Sequence, residues 1–460
     1  MIPQLFKHQS RALEAAGRFN SRLIFRLPGT GKTRIGIEII MDQLRREGNS
    51  RILWVCPANL IAQLKEVFSE FGVDLYDLFP DRNFHAGRCA ICSYDMLRLN
   101  CRFVCTAPWD LVICDEIHRG KSNVAQTNHA LWQLRKRAAR WYGFTGTPFQ
   151  NSPYEFFELV SLCVGSHIGA ACEFCLQYKY PKHTPIRNFL RQLGMRLHRV
   201  NQGPVVGIRD KDKLRLYLSD VVDYIPPDRY LDECRLPNIL TSTVRIPLTP
   251  REETEYLSVL SRFNRKKKYK FFFTDDIGDE YLENCFNGLN TLRTVALRES
   301  KPEAVADILR GIKQEDSSAR ILIFCNFVER GLNVLSGELK KRDIEHILYD
   351  GKVSATKRSE YIADFHQGKR NVMLLSPVGF EGLDLYGTTH IIVVDPHYNP
   401  ERTKQLTSRA IRAFSNVREI KIIKLQSISR KIKKPLIDEI IENIAARKSK
   451  VAGFLEDVLR

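Results

Sequence analysis

The chain has 460 residues, which is too long for one ordinary hydrophobic core at ~150 residues per domain and predicts two or three domains. Hydrophobic residues make up 43% and charged residues 27%, so a disordered or fibrous protein is excluded. The formal net charge is +18, so we expect a polyanionic partner, with nucleic acid ahead of an acidic membrane surface.

Targeting signals and disulfides are not indicated. No apolar run approaches the ~20 residues that span a bilayer, and the start, MIPQLFKHQS, lacks the apolar core of a signal peptide. We expect an intracellular protein, in the nucleus, or in the cytoplasm if it is prokaryotic or viral. The twelve cysteines are better interpreted as buried free thiols than as disulfides. Zinc-ligand spacing is loosely resembled by Cys89, Cys92, Cys101 and Cys105, and by Cys172, Cys175 and His183.

Short apolar runs recur between helical patterns along the chain. Continuous apolar runs bounded by glycine, proline or charge are typical of strands in a parallel sheet covered on both faces. Two such α/β sheets are predicted. The runs are RLIFRL, RILWVCP, WDLVICDE and RWYGFTGTP in the first third, and RILIFCNF, NVMLLSP and THIIVVDP near the end.

The pattern changes between residue 151 and about residue 300, where aromatic and basic residues dominate and Pro226 and Pro227 interrupt the chain. We interpret this stretch as mainly helical insertions and loops. From Pro435 onward, apolar residues at helical spacing predict a helix that closes the second lobe. The predicted domains are a first lobe at 1–165, a mainly helical insertion and linker at 166–300, and a second lobe at 301–460.

A glycine-rich loop follows the first apolar run. Glycines let backbone amides turn toward phosphate oxygens, and the helix N-terminus that follows adds positive potential. Lys32 would reach the outer phosphates and Thr33 would ligate magnesium. This is a Walker A pattern that predicts ATP binding by Gly29, Thr30, Gly31, Lys32 and Thr33.

One position departs from that pattern. A glycine is expected six places before the lysine, and this chain has Arg26. The alternative is a glycine-rich turn that only caps a helix. The strand, loop and helix context favours the phosphate loop.

An acidic pair ends the run LVICDEIH. Asp115 could hold Mg²⁺ and Glu116 could polarise the attacking water, which are the two carboxylate roles that phosphoryl transfer needs. The alternative is a solvated acidic loop. The position after an apolar strand and downstream of Lys32, with a histidine at His118, favours the catalytic pair. Thr33 and Asp115 are therefore the predicted metal ligands.

These motifs carry a family resemblance. DEIH resembles the DEAH-type box of superfamily-two helicases, and the surrounding blocks resemble the Swi/Snf-like branch of DNA translocases over almost the whole chain. The resemblance implies two RecA-like parallel-sheet lobes in tandem with a mainly helical insertion, and a DNA-dependent ATPase that moves along duplex DNA. The blocks include WDLVICDEIHRGKSN, FTGTPFQNSPYEFFELVSL, VCPANLIAQLKEVF, YDGKVSATKRSEYIADF and VVDPHYNPERTKQLTSRAIRAF.

The resemblance also assigns residues in both lobes. Gln9 resembles the family's adenine-reading glutamine, although a surface glutamine on a first helix is the alternative. Arg409 and Arg412 have the spacing of the family's arginine fingers, against the alternative of a basic helix face. The block SPVGFEGLDL, with Ser376, Gly382 and Asp384, resembles the segment that senses nucleotide and nucleic acid, and Thr145, Gly146 and Thr147 resemble the block that links hydrolysis to lobe movement.

The resulting hypothesis is a monomeric motor in which ATP lies between the lobes and hydrolysis lets them part. Basic segments at 265–270 and 430–434 are candidate DNA contacts or simply solvated faces. Two alternatives stay open: a strand-separating helicase acting on DNA or RNA, and a nucleic-acid-binding scaffold without turnover. Protein partners are not indicated by the sequence.

Overall fold

The computed structural model of the chain contains two compact units. The first comprises Met1–Leu176, Ile208–Arg235 and Lys450–Arg460, and the second comprises Gln177–Gly207 and Leu236–Ser449. The structure describes residues 4–27, 29–79, 82–122, 125–146, 153–168, 172, 175–178, 205–226, 229, 236–265, 288–351, 353–377, 385–399, 403, 406–407, 410, 417–432 and 435–460.

The first unit alternates strands and helices. Its elements are α1 Lys7–Arg18, β1 Ser21–Phe25, α2 Lys32–Arg46, β2 Ile52–Cys56, α3 Ile61–Glu70, β3 Leu75–Asp77, β4 Cys89–Ser93, α4 Tyr94–Leu99, α5 Cys101–Val104, β5 Trp109–Asp115, α6 Gln126–Arg135, β6 Ala138–Thr145, α7 Pro153–Val164, α8 Lys211–Ser219 and β9 Val222–Tyr224.

Seven strands of this unit form one parallel sheet in the order β3-β4-β2-β5-β6-β1-β9. Every residue of β2 is buried, as expected for a strand covered on both faces. On one face Trp54 packs edge-on to Phe68 with ring centroids 5.0 Å apart, and stacks on Phe144. Full burial of such side chains contributes ~1.5–3 kcal/mol each, so this layer holds α2 and α3 on the sheet.

The second unit repeats this architecture. Its elements are β10 Asn238–Pro247, α9 Pro250–Arg265, a helix over 288–295, α10 Ser300–Glu315, β11 Ile321–Phe324, α11 Asn333–Lys341, β12 Ile347–Tyr349, α12 Ala355–His366, β13 Val372–Leu375, β14 His390–Val393, β15 Glu419–Ile428 and the part of α13 Ile437–Leu459 that precedes Lys450.

Six strands of the second unit form a parallel sheet in the order β10-β15-β14-β11-β13-β12. The central strands β11, β13 and β14 are buried along their whole lengths. A buried ion pair ties helix α10 to helix α13, because Nζ of Lys301 lies 2.8 Å from the Asp438 carboxylate and donates to the Val394 carbonyl at 2.7 Å. The two predicted parallel sheets are confirmed, and the C-terminal segment is helical from Ile437 to Leu459 as predicted, whereas its role in closing the second lobe stays a prediction.

The stretch at 166–300 contributes strands to both sheets. Strand β9 pairs with β1 in the first, and β10 pairs with β15 over ten residues in the second. The remaining strands, β7 Leu176–Tyr178 and β8 Val205–Ile208, form a separate two-stranded sheet. None of the helices in the described ranges is both long and apolar enough to cross a membrane.

Candidate functional site

Three adjacent strands of the first sheet bring the predicted motifs together at their carboxyl ends. In the order β5-β6-β1, Phe25 at the end of β1 is in register with Thr145 at the end of β6, and Asp115 at the end of β5 is in register with Phe144. The segments that follow these strands therefore leave the sheet side by side. Ligands of open α/β sheets bind at this carboxyl edge.

The glycine-rich loop has the backbone that a phosphate loop needs. Gly29 and Gly31 have φ values of 79° and 84°, in the left-handed region that favours glycine. The Thr30 hydroxyl donates to the Leu27 carbonyl at 2.7 Å and closes the turn. Helix α2 then begins at Lys32, whose side chain is largely buried. The amino end of a helix and this turn together form an anion-binding backbone.

Gln9, the predicted adenine-reading residue, lies against that loop. Its Nε2 donates to the carbonyls of Thr30 and Gly31 at 3.3 and 3.5 Å, and its Oε1 accepts from the Phe6 amide at 3.0 Å. A Cβ atom on Gly31 would lie 2.3 Å from Nε2, so only glycine fits there without displacing the amide. Gln9 thus contacts the loop through its side chain, and adenine reading stays a prediction.

Arg26 occupies the position where the Walker A pattern has glycine. Its side chain is wholly buried and forms an ion pair with Asp223 on strand β9, with Nη2 3.0 Å from Oδ2. An arginine directly after an apolar strand predicts a buried charge that needs an anionic partner. The sequence does not indicate which residue that partner is, because Asp223 lies 197 positions further along the chain.

The acidic pair lies where β5 ends in a tight turn. The Tyr94 hydroxyl donates to the Asp115 carbonyl at 2.7 Å, and Oδ1 of Asp115 accepts from the Glu116 amide at 3.0 Å. Glu116 has φ 52°, a left-handed conformation that costs a non-glycine residue ~1–2 kcal/mol. Strain of this kind at a loop carrying two carboxylates is typical of functional sites.

His118 connects this turn to the next strand. Its Nδ1 lies 3.1 Å from a carboxylate oxygen of Glu116 and 3.3 Å from the hydroxyl of Thr145. Thr145 is fully buried at the end of β6. The imidazole therefore joins the acidic turn to the segment predicted to couple hydrolysis to movement, a role that the sequence analysis did not assign to it.

The predicted metal ligands have suitable chemistry. Asp115, the last residue of β5, supplies a carboxylate, and Thr33, at the start of the helix after β1, supplies a hydroxyl. Mg²⁺ prefers such hard oxygen donors and keeps several waters. The donor set therefore fits Mg²⁺.

In the second unit, a buried pair lies where β14 ends. Nη2 of Arg293 pairs with the Asp395 carboxylate at 2.5 Å and donates to the Pro396 carbonyl at 2.9 Å. The backbone amide of Asn326 donates to the other oxygen of the Asp395 carboxylate at 2.8 Å. These contacts fix the chain at Asp395 and Pro396, directly after β14. Ser376 is buried just after β13, whereas Gly382, Asp384, Arg409, Arg412 and Thr147 lie outside the described residues.

The two cysteine clusters have a spacing that loosely resembles that of zinc ligands. Cys89 and Cys92 are buried on β4, and burial raises the pKa of the Cys92 thiol to about 12, which disfavours the thiolate that zinc needs. Sγ of Cys101 lies 3.8 Å from Sγ of Cys105. Among the described residues, no group of three or more potential ligands could hold a metal, and His183 lies outside them.

The basic segments have different surroundings. Lys431 is paired with Glu253, Nζ lying 3.4 Å from Oε2, while Arg430 beside it is exposed. Residues 266–270, 433 and 434 lie outside the described residues. A nucleic-acid contact at either segment stays a prediction.

Comparison with protein families assigns nearly the whole chain. The model of the SNF2-related domain matches residues 18–300, and the model of the helicase conserved C-terminal domain matches residues 300–414. The first match alone covers more than half of the chain.

Individual relatives are distant. The uncharacterized ATP-dependent helicase YqhH of Bacillus subtilis is 23% identical over 94% of this chain and 76% of its own length. The DNA repair and recombination protein RAD54-like of Mus musculus is 26% identical over 70% of this chain, but only 45% of its own length is covered. Among solved structures, a SWI2/SNF2 ATPase core of Sulfolobus solfataricus in complex with dsDNA covers 93% of this chain and 88% of its own, with a TM-score of 0.42 and 17% identity.

Proposed function

The chain belongs to the SNF2-related family of ATP-dependent helicases and ATPases, and we propose that it hydrolyses ATP in a DNA-dependent cycle that moves it along duplex DNA. The observation that carries this proposal is the alignment of the phosphate loop, the acidic turn and Thr145 at one carboxyl edge. A glycine-rich turn that only caps a helix would not need the acidic turn and Thr145 beside it.

In the first lobe, each residue has a distinct proposed task. The amides at the start of α2 and Lys32 bind the phosphates, and Gln9 supports the loop and reads the base. Asp115 and Thr33 would hold Mg²⁺, which when bound neutralises phosphate charge. Glu116, held in its strained turn with His118, orients and polarises the attacking water. Exclusion of bulk water on closure would strengthen every one of these interactions.

The second lobe would complete the site. Arg409 and Arg412 are proposed to supply planar, permanently charged guanidiniums to the transferring phosphoryl group. Their spacing in SRAIRAF and their place after the NP dipeptide and Gln405 support this assignment. Gly382 and Asp384 are proposed to sense nucleotide. Because the phosphate loop and acidic pair come from the first lobe and the arginines from the second, neither lobe should hydrolyse ATP efficiently alone.

The partner proposed is duplex DNA, which places the protein inside the cell. The net charge of +18 suits a polyanion, and binding through phosphates should be independent of sequence and weaken steeply with salt. The protein is proposed to act as a monomer that displaces or remodels bound proteins.

The test is phosphate release with and without duplex DNA. Lys32→Ala and Arg409→Ala should each lose at least about a hundredfold in turnover, as expected for loss of a group that stabilises the transition state. Matched controls are the exposed residues Lys136 in the first lobe and Arg310 in the second, whose alanine variants should keep wild-type turnover. Near-normal turnover in both site variants would reject the mechanism, and loss in Lys32→Ala alone would reject the finger assignment.

A second assay separates the competing functions. Displacement of a triplex-forming strand from intact duplex would support translocation, whereas separation of the duplex strands would favour a helicase. A folded wild-type chain that binds DNA without ATP turnover would favour the scaffold.

A further inference from the structure

The two terminal nitrogens of the Arg26 guanidinium make several hydrogen bonds beside the phosphate loop. Nη1 donates to the carbonyls of Phe25 and Asp223 at 2.8 and 2.9 Å, and Nη2 donates to both carboxylate oxygens of Asp223 at 3.0 and 3.1 Å. A longer contact of 3.5 Å reaches the carbonyl of His8. All of these acceptors are backbone carbonyls or a carboxylate, so both terminal nitrogens of the fork are bound by protein, whereas the buried Nε has no hydrogen-bond partner.

These contacts join three segments that are distant in sequence. Arg26 is the first residue after β1, His8 lies in α1, and Asp223 is the central residue of β9. Strand β9 is held beside β1 by parallel pairing of Ile24 with Asp223, and by stacking of Phe25 on Tyr224 at 5.2 Å. The edge strand is therefore fixed against β1 where the loop begins.

A second set of contacts continues from α1 to the loop. Gln9, next to His8, donates through Nε2 to the carbonyls of Thr30 and Gly31. The loop is thus held at its entry by Arg26 and near its end by Gln9, and both attachments depend on where α1 lies. A shift of α1 or β9 would move the loop amides.

Stability alone does not explain a buried ion pair here. Such a pair is expensive to desolvate, and well-packed apolar residues are often as stable or more so. Arg26 holds Asp223 at two points, with Nη1 on its backbone carbonyl and Nη2 on its carboxylate, and this planar fork fixes the position of its partner, which an apolar contact does not.

We propose that Arg26 and Asp223 are positioning residues that hold the phosphate loop in its nucleotide-binding shape, so that the pair sets ATP affinity. The inference rests on the proposed function, because it takes the loop to be the ATP site. Loop amides bind phosphate before and during the reaction, so a misplaced loop raises KM and leaves kcat nearly unchanged. A merely structural pair would instead lower the melting temperature and the active fraction, without changing KM.

The test uses the full-length chain and two conservative variants. Arg26→Lys keeps the charge but loses the fork, and Asp223→Asn keeps the shape but loses the charge. The matched control is Arg140→Lys, since Arg140 ties α1 to the sheet through the Ala16 carbonyl at 2.9 Å, and also bonds Gln43 near the end of α2 at 2.7 Å, but lies on β6 away from the loop. ATP KM and kcat, the Kd of a non-hydrolysable ATP analogue, and the melting temperature are measured for each.

The expected result is a rise of about tenfold in KM and in the analogue Kd for both site variants, as loss of a charge-assisted hydrogen bond predicts, with kcat within about twofold. Arg140→Lys should lower the melting temperature at unchanged KM. Wild-type KM and Kd in folded Arg26→Lys and Asp223→Asn would overturn the inference while leaving the proposed function intact. A wild-type chain that does not bind the analogue would reject both.

Discussion

Nδ1 of His118 lies 3.1 Å from a carboxylate oxygen of Glu116. The same nitrogen is 3.3 Å from the hydroxyl of Thr145, so one imidazole spans the acidic turn and the end of the neighbouring strand. The proposed base is therefore oriented by a residue that also contacts the adjacent motif.

Replacing His118 with Ala should lower kcat by about tenfold to a hundredfold, because a carboxylate that loses its orientation activates water poorly. KM for ATP should stay near the wild-type value, since the phosphate loop is unchanged. Steady-state phosphate release measures both. His129→Ala, at an exposed position on α6, is the control, and an unaltered kcat in His118→Ala would show that Glu116 needs no such support.

Gln9→Ala should raise KM for ATP several-fold, because the side chain contacts the loop carbonyls of Thr30 and Gly31. Both contacts are long, so the amide can exchange them for a base edge at little cost. If it does, the preference for ATP over GTP, measured as the ratio of kcat/KM values, should also fall by about tenfold or more.

The control for this variant is Gln43→Ala, which removes a buried amide of α2 that bonds Ser50 and Arg140. A raised KM with an unchanged ATP preference in Gln9→Ala would contradict adenine reading and leave Gln9 as a support of the loop.

The strands that the sequence predicted are those buried on both faces. Such strands are apolar at every position, as β2 and β11 are, so they stand out from the surrounding polar segments. Strands β9 and β12 have only three residues, which is too short for any pattern. Strand β10 is exposed along most of its length, so its sequence NILTSTVRIP does not show an apolar face.

The residues of the candidate site also differ in how well the sequence predicts them. The loop around Gly29 and the acidic pair are local motifs, so their chemistry is readable from adjacent residues. The ion pair of Arg26 with Asp223 depends on two strands becoming neighbours, and the pair of Arg293 with Asp395 joins residues 102 positions apart. Contacts between residues that are distant in the chain are hardly predictable from a single sequence. Here the only indication is a lone arginine after an apolar strand.

Arg293→Ala should lower the free energy of unfolding of the second lobe by ~3–5 kcal/mol, because Asp395 would be left buried and charged without its partner. Urea unfolding measures the loss. Arg251→Ala removes an exposed pair with Glu299 and should change the free energy by less than ~1 kcal/mol. Equal effects of the two substitutions would mean that the buried pair contributes no more than a surface one.

Stability of the first lobe should fall in mild acid because of His8. Burial, assisted by the nearby charge of Arg26, lowers the pKa of this imidazole from about 6.5 to about 4. Between those values the unfolded chain takes up a proton that the folded chain does not, so the unfolded state gains stability as the pH falls. The contribution of His8 is therefore fully present above about pH 6.5 and is progressively lost toward pH 4.

The measurement is the melting temperature of the wild type and of His8→Gln from pH 7.5 to pH 4.5. Carboxylates titrate at the acid end of this range in both proteins, so only the difference between the two curves reports His8. The wild type should lose melting temperature more steeply than His8→Gln, with the gap opening just below pH 6.5, the pKa of an exposed imidazole. Parallel curves would mean that the folded imidazole accepts a proton as readily as the unfolded one, and hence that α1 opens to solvent beside Arg26.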